Sequence, residues 1–89
     1  MKAVSVLNTA TKIVDAGNRE FLHIYNNGAE PIYLCYDGAV GSGVTTVNGL
    51  PVPIGGILML DNDGHRNVQN HEVYAICAAG PVDVRIQGA

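Results

Sequence analysis

Residues 82–87 read Val82-Asp83-Val84-Arg85-Ile86-Gln87, a strict alternation of apolar and polar side chains. In an extended strand, successive side chains point to opposite faces, so the three apolar residues of this stretch share one side. Such alternation is typical of a strand with one buried and one solvated face. We therefore predict a strand here, with Val84 in the core and Arg85 in solvent.

The same period of two recurs along most of the chain. Further candidate strands lie at residues 4–7, 12–15, 20–26, 32–37, 58–61 and 73–77, and turn dipeptides such as Asn27-Gly28 and Asp63-Gly64 separate many of them. Asn, Asp and Gly tolerate the positive φ angles of tight hairpin turns. Many short strands at such intervals predict an all-β fold. We expect a single domain over residues 1–89, a small antiparallel β-sandwich (jelly-roll-like) or short barrel of seven to eight strands.

Two polar segments interrupt this pattern. Residues 38–49 are rich in glycine and predict a mobile loop, and residues 61–70 predict a second loop at one end of the sandwich.

The composition is apolar at 47%, and only 15% of residues are charged, with a formal net charge of −3. This excludes disorder, and five scattered basic residues argue against nucleic acid as a partner. With so few charged residues, part of the protein surface is expected to lie against another protein, which predicts a homo-oligomer or a partner-bound protein.

From this sequence we expect no signal for export and no membrane insertion. The longest clean aliphatic run, Ile57-Leu58-Met59-Leu60, is far shorter than the roughly 20 residues that span a bilayer, so we expect no membrane partner. Cys35 and Cys77 lie 42 positions apart in apolar runs, which predicts buried free thiols in a reducing compartment. The sequence does not decide whether the two cysteines form a disulfide, because that bond would require them to lie on neighbouring strands.

No motif predicts a metal ion or a cofactor. The segment 61–64 (Asp61-Asn62-Asp63-Gly64) resembles half of a calcium loop, but aligning its glycine puts Met59 and Asn70 where acidic ligands belong. His65 and His71 are six residues apart and lack the spacing of a cupin metal site. We therefore expect a plain turn, solvated histidines, and neither metal nor cofactor.

No motif predicts catalysis either. Gly41-Ser42-Gly43 lacks the first glycine of a nucleophile elbow, since position 40 is Val40, and neither cysteine has a basic neighbour in the sequence. We expect no catalytic residue and no enzyme activity.

Three residues of one candidate strand form a possible interface. Phe21, His23 and Tyr25 alternate with Leu22 and Ile24, so they share one strand face. Aromatic residues are enriched at interface cores, which makes the three a candidate anchor for a partner. Burial against the second sheet of the domain is the alternative.

Three stretches resemble a known class of protein: residues 10–28 (ATKIVDAGNREFLHIYNNG), 31–34 (PIYL) and 73–85 (VYAICAAGPVDVR). They resemble small all-β virion proteins of tailed bacteriophages, in particular capsid decoration (cement) proteins. This resemblance implies a sandwich or jelly-roll module, often a homotrimer, that binds the major capsid protein lattice. It also implies synthesis in the host cytoplasm and a final place on the capsid exterior of the virion. The family pattern implies no catalytic or ligand residues.

Two other functions remain open from the sequence. The first alternative is a small receptor- or carbohydrate-binding β-module on a phage fibre or tail, although the chain has only five aromatic residues and no Trp. The second is a cupin-like metalloenzyme, which the histidine spacing does not favour.

Overall fold

The computed structural model describes residues 2–36, 41–61 and 71–88. Eight strands form in this part of the chain: β1 (Lys2–Val6), β2 (Thr11–Val14), β3 (Phe21–Asn26), β4 (Ile32–Cys35), β5 (Leu50–Val52), β6 (Ile57–Asp61), β7 (Val73–Ile76) and β8 (Val82–Gly88). A short 3-10 turn, Gly41–Gly43, lies between β4 and β5. None of the described segments is a helix with the length and hydropathy of a membrane span.

The strands form two antiparallel four-stranded sheets. The first sheet has the order β1-β8-β3-β6 and the second has the order β2-β7-β4-β5. The hairpin β4·β5 is the innermost pair of a nested series that continues with β3·β6, β2·β7 and β1·β8. A long hairpin rolled up in this way is a jelly roll, a double-sheet fold of two Greek keys. The predicted all-β antiparallel sandwich of jelly-roll type is therefore confirmed.

The core lies between the two sheets and follows the alternation of the strands. In β8, Val82, Val84 and Ile86 are buried, and Arg85 is exposed, as the sequence predicts. In β3, Leu22 and Ile24 are buried in the same way. In β3, β4, β7 and the first five residues of β8, every second residue is buried, because successive side chains point to opposite faces. The strand β2 differs: its consecutive residues Ile13 and Val14 are both buried, next to a register irregularity.

The strand β5 was not among the stretches that the sequence predicts as strands. Its three residues include Pro51, and a proline within a short run argues against a strand. The structure tolerates Pro51 because β5 lies at the edge of the second sheet and pairs only with β4. An edge strand can lack one N–H donor without breaking a ladder on both sides.

The described part of the 38–49 loop packs on the outer face of the second sheet, whereas the sequence predicts a mobile loop. Val44 is buried, and Gly41 lies so close to Tyr74 that a Cβ on this glycine would be 2.5 Å from the ring atom Cδ1. A Cβ on Gly49 would similarly lie 2.6 Å from the Cβ of Tyr33. Residues 38–40 lie outside the described residues. So do residues 62–70, which include His65 and most of the segment considered for calcium.

Asn26, at the end of β3, joins three segments of the chain from a fully buried position. Its Nδ2 donates hydrogen bonds to the carbonyl oxygens of Glu30 (2.9 Å) and Val52 (3.1 Å), and its Oδ1 accepts one from the Gly28 N–H (3.0 Å). Buried polar groups cost free energy unless they are paired, and here each side-chain polar atom is paired. Asn26 therefore fixes the turn after β3 against β5.

A second polar contact closes the turn between β7 and β8. The N–H groups of Ala79 and Gly80 donate to Glu30 Oε1 at 2.9 and 3.2 Å. These donors, Ala79 first, lower the pKa of Glu30, because they stabilise its ionised form. Gly80 has a φ of 68°, a left-handed conformation that favours glycine.

Candidate functional site

The face of β3 that points away from the core carries the three residues predicted as an interface anchor. Phe21, His23 and Tyr25 alternate with the buried Leu22 and Ile24 and are each half-buried. They therefore belong to the outer face of the first sheet, and the alternative of burial against the second sheet does not occur. Because β3 has β8 on one side and β6 on the other, these side chains lie at the centre of that face.

The strand β6 extends this apolar surface with two residues that the sequence reasoning did not assign to it. In the β3·β6 register, Met59 lies opposite His23, and Ile57 lies opposite Tyr25. Side chains opposite each other on adjacent strands are direct neighbours. Met59 is 58% exposed and Ile57 is 51% exposed. We refer to Phe21, His23, Tyr25, Ile57 and Met59 as the apolar patch.

A signal in the sequence could have identified Ile57 and Met59. The run Ile57-Leu58-Met59-Leu60 does not alternate, so a strand formed from it carries apolar side chains on both faces. One face packs on the core through Leu58 and Leu60, and the other is left outside. A strand that is apolar on both faces indicates a second covered surface.

Charged residues border the apolar patch on the β8 side. Asp83 Oδ2 accepts hydrogen bonds from Arg85 Nη2 and Nε at 3.0 Å and from Asn27 Nδ2 at 2.9 Å. These contacts, with Arg85 the larger cause, lower the pKa of Asp83. In the β3·β8 register, Arg85 lies opposite Tyr25. The outer face of the first sheet is thus apolar over β3 and β6 and polar over β8, the arrangement of an interface core and its rim.

Two rings of the apolar patch pack against each other. The ring centroids of Phe21 and His23 are 4.9 Å apart, with an angle of 48° between the ring planes. Aromatic pairs prefer such tilted geometries to a face-to-face sandwich. The contact restricts both side chains before any partner binds, which reduces the entropy lost on association.

The two outer faces of the sandwich therefore differ. On the second sheet, the 41–49 loop packs over Tyr33 and Tyr74. On the first sheet, Ile57 and Met59 each remain more than half exposed. In the described part of the chain, the other large exposed apolar residues lie in loops and at the start of β5: Leu7, Val47, Leu50 and Ile54. Single exposed apolar residues are ordinary, whereas a contiguous group marks an interaction surface.

A cavity of about 360 Å³ lies under the 41–49 loop, beside β4, and is lined by Leu34, Cys35, Gly43, Val44 and Asn48. The Asn48 side chain already accepts a hydrogen bond from the Thr45 N–H (2.7 Å) and donates one to the Gly43 oxygen (3.3 Å). The cavity is therefore mostly apolar, because the side-chain amide of Asn48 already forms its hydrogen bonds within the loop.

Apart from His23, the cysteines and histidines of the described residues lie outside the apolar patch. Cys77 is buried, its Sγ donates to the Val6 oxygen at 3.4 Å, and burial raises the pKa of its thiol. Cys35 is half-buried, whereas the sequence predicts a buried thiol, and no disulfide joins it to Cys77. His71 Nδ1 lies 3.0 Å from the Tyr36 oxygen. Within residues 2–36, 41–61 and 71–88, no three His, Cys, Asp or Glu residues are grouped as metal ligands would be.

No protein-family model, no curated protein and no solved structure matches this chain. The similarity to phage decoration proteins therefore remains a prediction from the sequence.

Proposed function

We propose that this chain is a non-enzymatic structural protein of a bacteriophage virion, a capsid decoration protein that binds the outside of the assembled coat. The observation that carries the proposal is the apolar patch on the outer face of the first sheet. Jelly rolls also serve as lectins and cupins, so the fold alone does not decide the function. The proposal rests instead on the surface and on the sequence resemblance.

The apolar patch has the properties of a binding surface for a large, rigid partner. It lies on the central and edge strands of a sheet, where backbone hydrogen bonds hold the side chains in place. Tyr25 and Phe21 provide large contact areas with few rotatable bonds, as binding hot spots commonly do. Asp83 and Arg85 form a polar border that stays hydrated at the edge of a contact.

A decoration protein stabilises a shell by binding the assembled state and not the dissociated one. Each bound copy then favours assembly by mass action. Several copies joined in one oligomer, such as the trimer that the resemblance implies, bind more tightly than one because their contacts are made together. The coat lattice is thus the proposed partner, and the capsid exterior is the proposed location.

The decisive experiment compares two tyrosine variants in co-sedimentation with shells that lack the protein. Tyr25→Ala removes a ring from the apolar patch, and Tyr33→Ala removes one from the covered outer face of the second sheet. Truncation of a central tyrosine costs about 2 kcal/mol in a binding hot spot, or roughly thirtyfold in affinity. We expect that loss for Tyr25→Ala and a change below about threefold for Tyr33→Ala.

The melting temperature of each variant is measured alongside, so that loss of binding is separated from loss of folding. Shells that carry the wild-type protein should also melt at a higher temperature than bare shells. Absence of co-sedimentation, or equal losses in two variants of equal stability, contradicts the proposal. In that case a glycan-binding screen tests the receptor-binding alternative.

A further inference from the structure

Three of the four sheet edges carry features that prevent pairing with another strand. The edge strand β1 has Lys2 on the same side as its core-facing valines, and β2 has Lys12 and a register irregularity before Val14. The edge strand β5 is three residues long and contains Pro51. Lysines, bulges, prolines and short strands are the means by which proteins protect sheet edges.

In the described part of the chain, the stretch Ile57–Leu60 of the fourth edge strand, β6, has none of these features. The five residues of β6 pair with β3 in continuous register, without a bulge, and include neither lysine nor proline. In the described part of the chain, Ile57–Leu60 hydrogen bond only along the β3 ladder. An unprotected apolar edge of this length is a template for another strand.

We propose that β6 pairs with β6 of a second copy of this chain, across a twofold axis perpendicular to the first sheet. Such an axis makes the two strands antiparallel, with Met59 opposite Met59 of the second copy and Ile57 opposite Asp61. Asp61 is the only charged residue of β6, and this register keeps the two aspartates at opposite ends of the ladder. No like charges meet.

With this axis, the first sheets of the two copies join into one eight-stranded sheet, and their outer faces lie on the same side of it. Ile57 and Met59 of the two copies then lie at the centre, and the two apolar patches become one continuous surface. This inference concerns the chain alone and holds whether or not the partner of that surface is a capsid. It differs from the trimer that the resemblance implies, because a twofold contact produces pairs.

The contact is small, so the dimer should be weak. A five-residue strand is about 17 Å long, and an edge contact of that length buries less than the roughly 800 Å² per partner of a stable interface. We therefore expect the purified protein to show a reversible equilibrium between monomer and dimer, with dimer detectable at high protein concentration.

Sedimentation equilibrium over a wide range of protein concentration, up to about 1 mM, tests the association, because a small interface gives a weak dimer. Met59→Lys places two like charges opposite each other at the axis and should weaken association at least about tenfold. Ser5→Lys is the control, since it adds the same charge to the exposed face of β1 at the other edge. Melting temperatures show that both variants fold. A wild-type protein that stays monomeric, forms trimers, or responds equally to both variants refutes the pairing.

Cross-linking with a short bismaleimide tests the register in a Cys35→Ser background. Met59→Cys should cross-link to itself, because the two positions are opposite each other. Ser5→Cys should not, since seven strand spacings separate the two copies of β1, about 34 Å. If cross-links form only in a mixture of Met59→Cys with Ser5→Cys, then β6 pairs with β1 of the next copy, and the twofold proposal is wrong.

Discussion

Substitution of Asn26 by alanine tests how much the buried polar connection after β3 contributes to stability. The side chain has no solvent exposure and makes three hydrogen bonds, to Glu30, Val52 and Gly28, at 2.9 to 3.1 Å. The backbone bonds of Asn26 with Gly55 and Gly56 do not involve the side chain and remain.

The expected magnitude follows from these three bonds. A hydrogen bond contributes about 0.5–1.5 kcal/mol net, and a buried group left without a partner costs about 1–3 kcal/mol. Asn26→Ala removes three bonds and leaves two carbonyl groups and one N–H without their partner. We therefore expect the free energy of unfolding to fall by about 3 kcal/mol, a large part of the roughly 5–15 kcal/mol of a small domain.

Urea denaturation followed by circular dichroism measures this loss, since the chain has no Trp for fluorescence. The matched control is Asn27→Ala, one residue along. Asn27 is exposed and makes one side-chain hydrogen bond, to Asp83, which keeps its contact with Arg85. We expect a change below about 0.5 kcal/mol there. If Asn26→Ala costs less than about 1 kcal/mol, or no more than Asn27→Ala, the reasoning from buried hydrogen bonds is wrong.

Three further predictions concern stability. Val84→Asp places a carboxylate in the core, so circular dichroism should show an unfolded protein. Arg85→Ala, on the opposite face, should lower the free energy of unfolding by less than about 1 kcal/mol. Equal effects of the two variants would mean that the two strand faces are reversed. Glu30→Gln should lower the melting temperature at pH 7, because the lowered folded-state pKa of Glu30 stabilises the fold above its unfolded-state pKa, about 4.3. The difference should shrink as the pH falls below that value and vanish below the folded-state pKa. A difference independent of pH would argue against an ionised Glu30. Gly80→Ala should lower the free energy of unfolding by about 1–2 kcal/mol, because Gly80 has a left-handed φ and a Cβ there would lie 2.7 Å from the sulfur of the buried Cys77. Gly43→Ala is the control, since the space around its Cβ is open. Equal melting temperatures of the two variants would contradict the predicted strain.

The difference between the two outer faces of the sandwich underlies the proposals. A jelly roll has two sheets, and each has one face on the core and one outside. In this chain the 41–49 loop packs over one outer face, and the other keeps apolar side chains exposed. Only 15% of the residues of the chain are charged, and the exposed apolar side chains of that face are where charged residues are missing from the surface.

The sequence by itself determined the fold class and which side chains of each central strand share a face. Strict alternation in β8 predicted that Val84 faces the core, because the side-chain period of a strand is a local property. In β3 the alternation separated Leu22 and Ile24 from their neighbours but left open which of the two faces is buried. The same alternation placed Phe21, His23 and Tyr25 together on the opposite face. These conclusions needed no knowledge of which strands are neighbours.

Only the tertiary structure decided which strands lie side by side. The placement of Met59 beside His23, and of Ile57 beside Tyr25, depends on pairing across more than thirty residues of chain. The strand β5, the packing of Val44 on the second sheet and the hydrogen bond of Asn26 to Val52 are also long-range. Local patterns carry no information about such contacts, because the free energy that selects them comes from burial and hydrogen bonding in the assembled sheets.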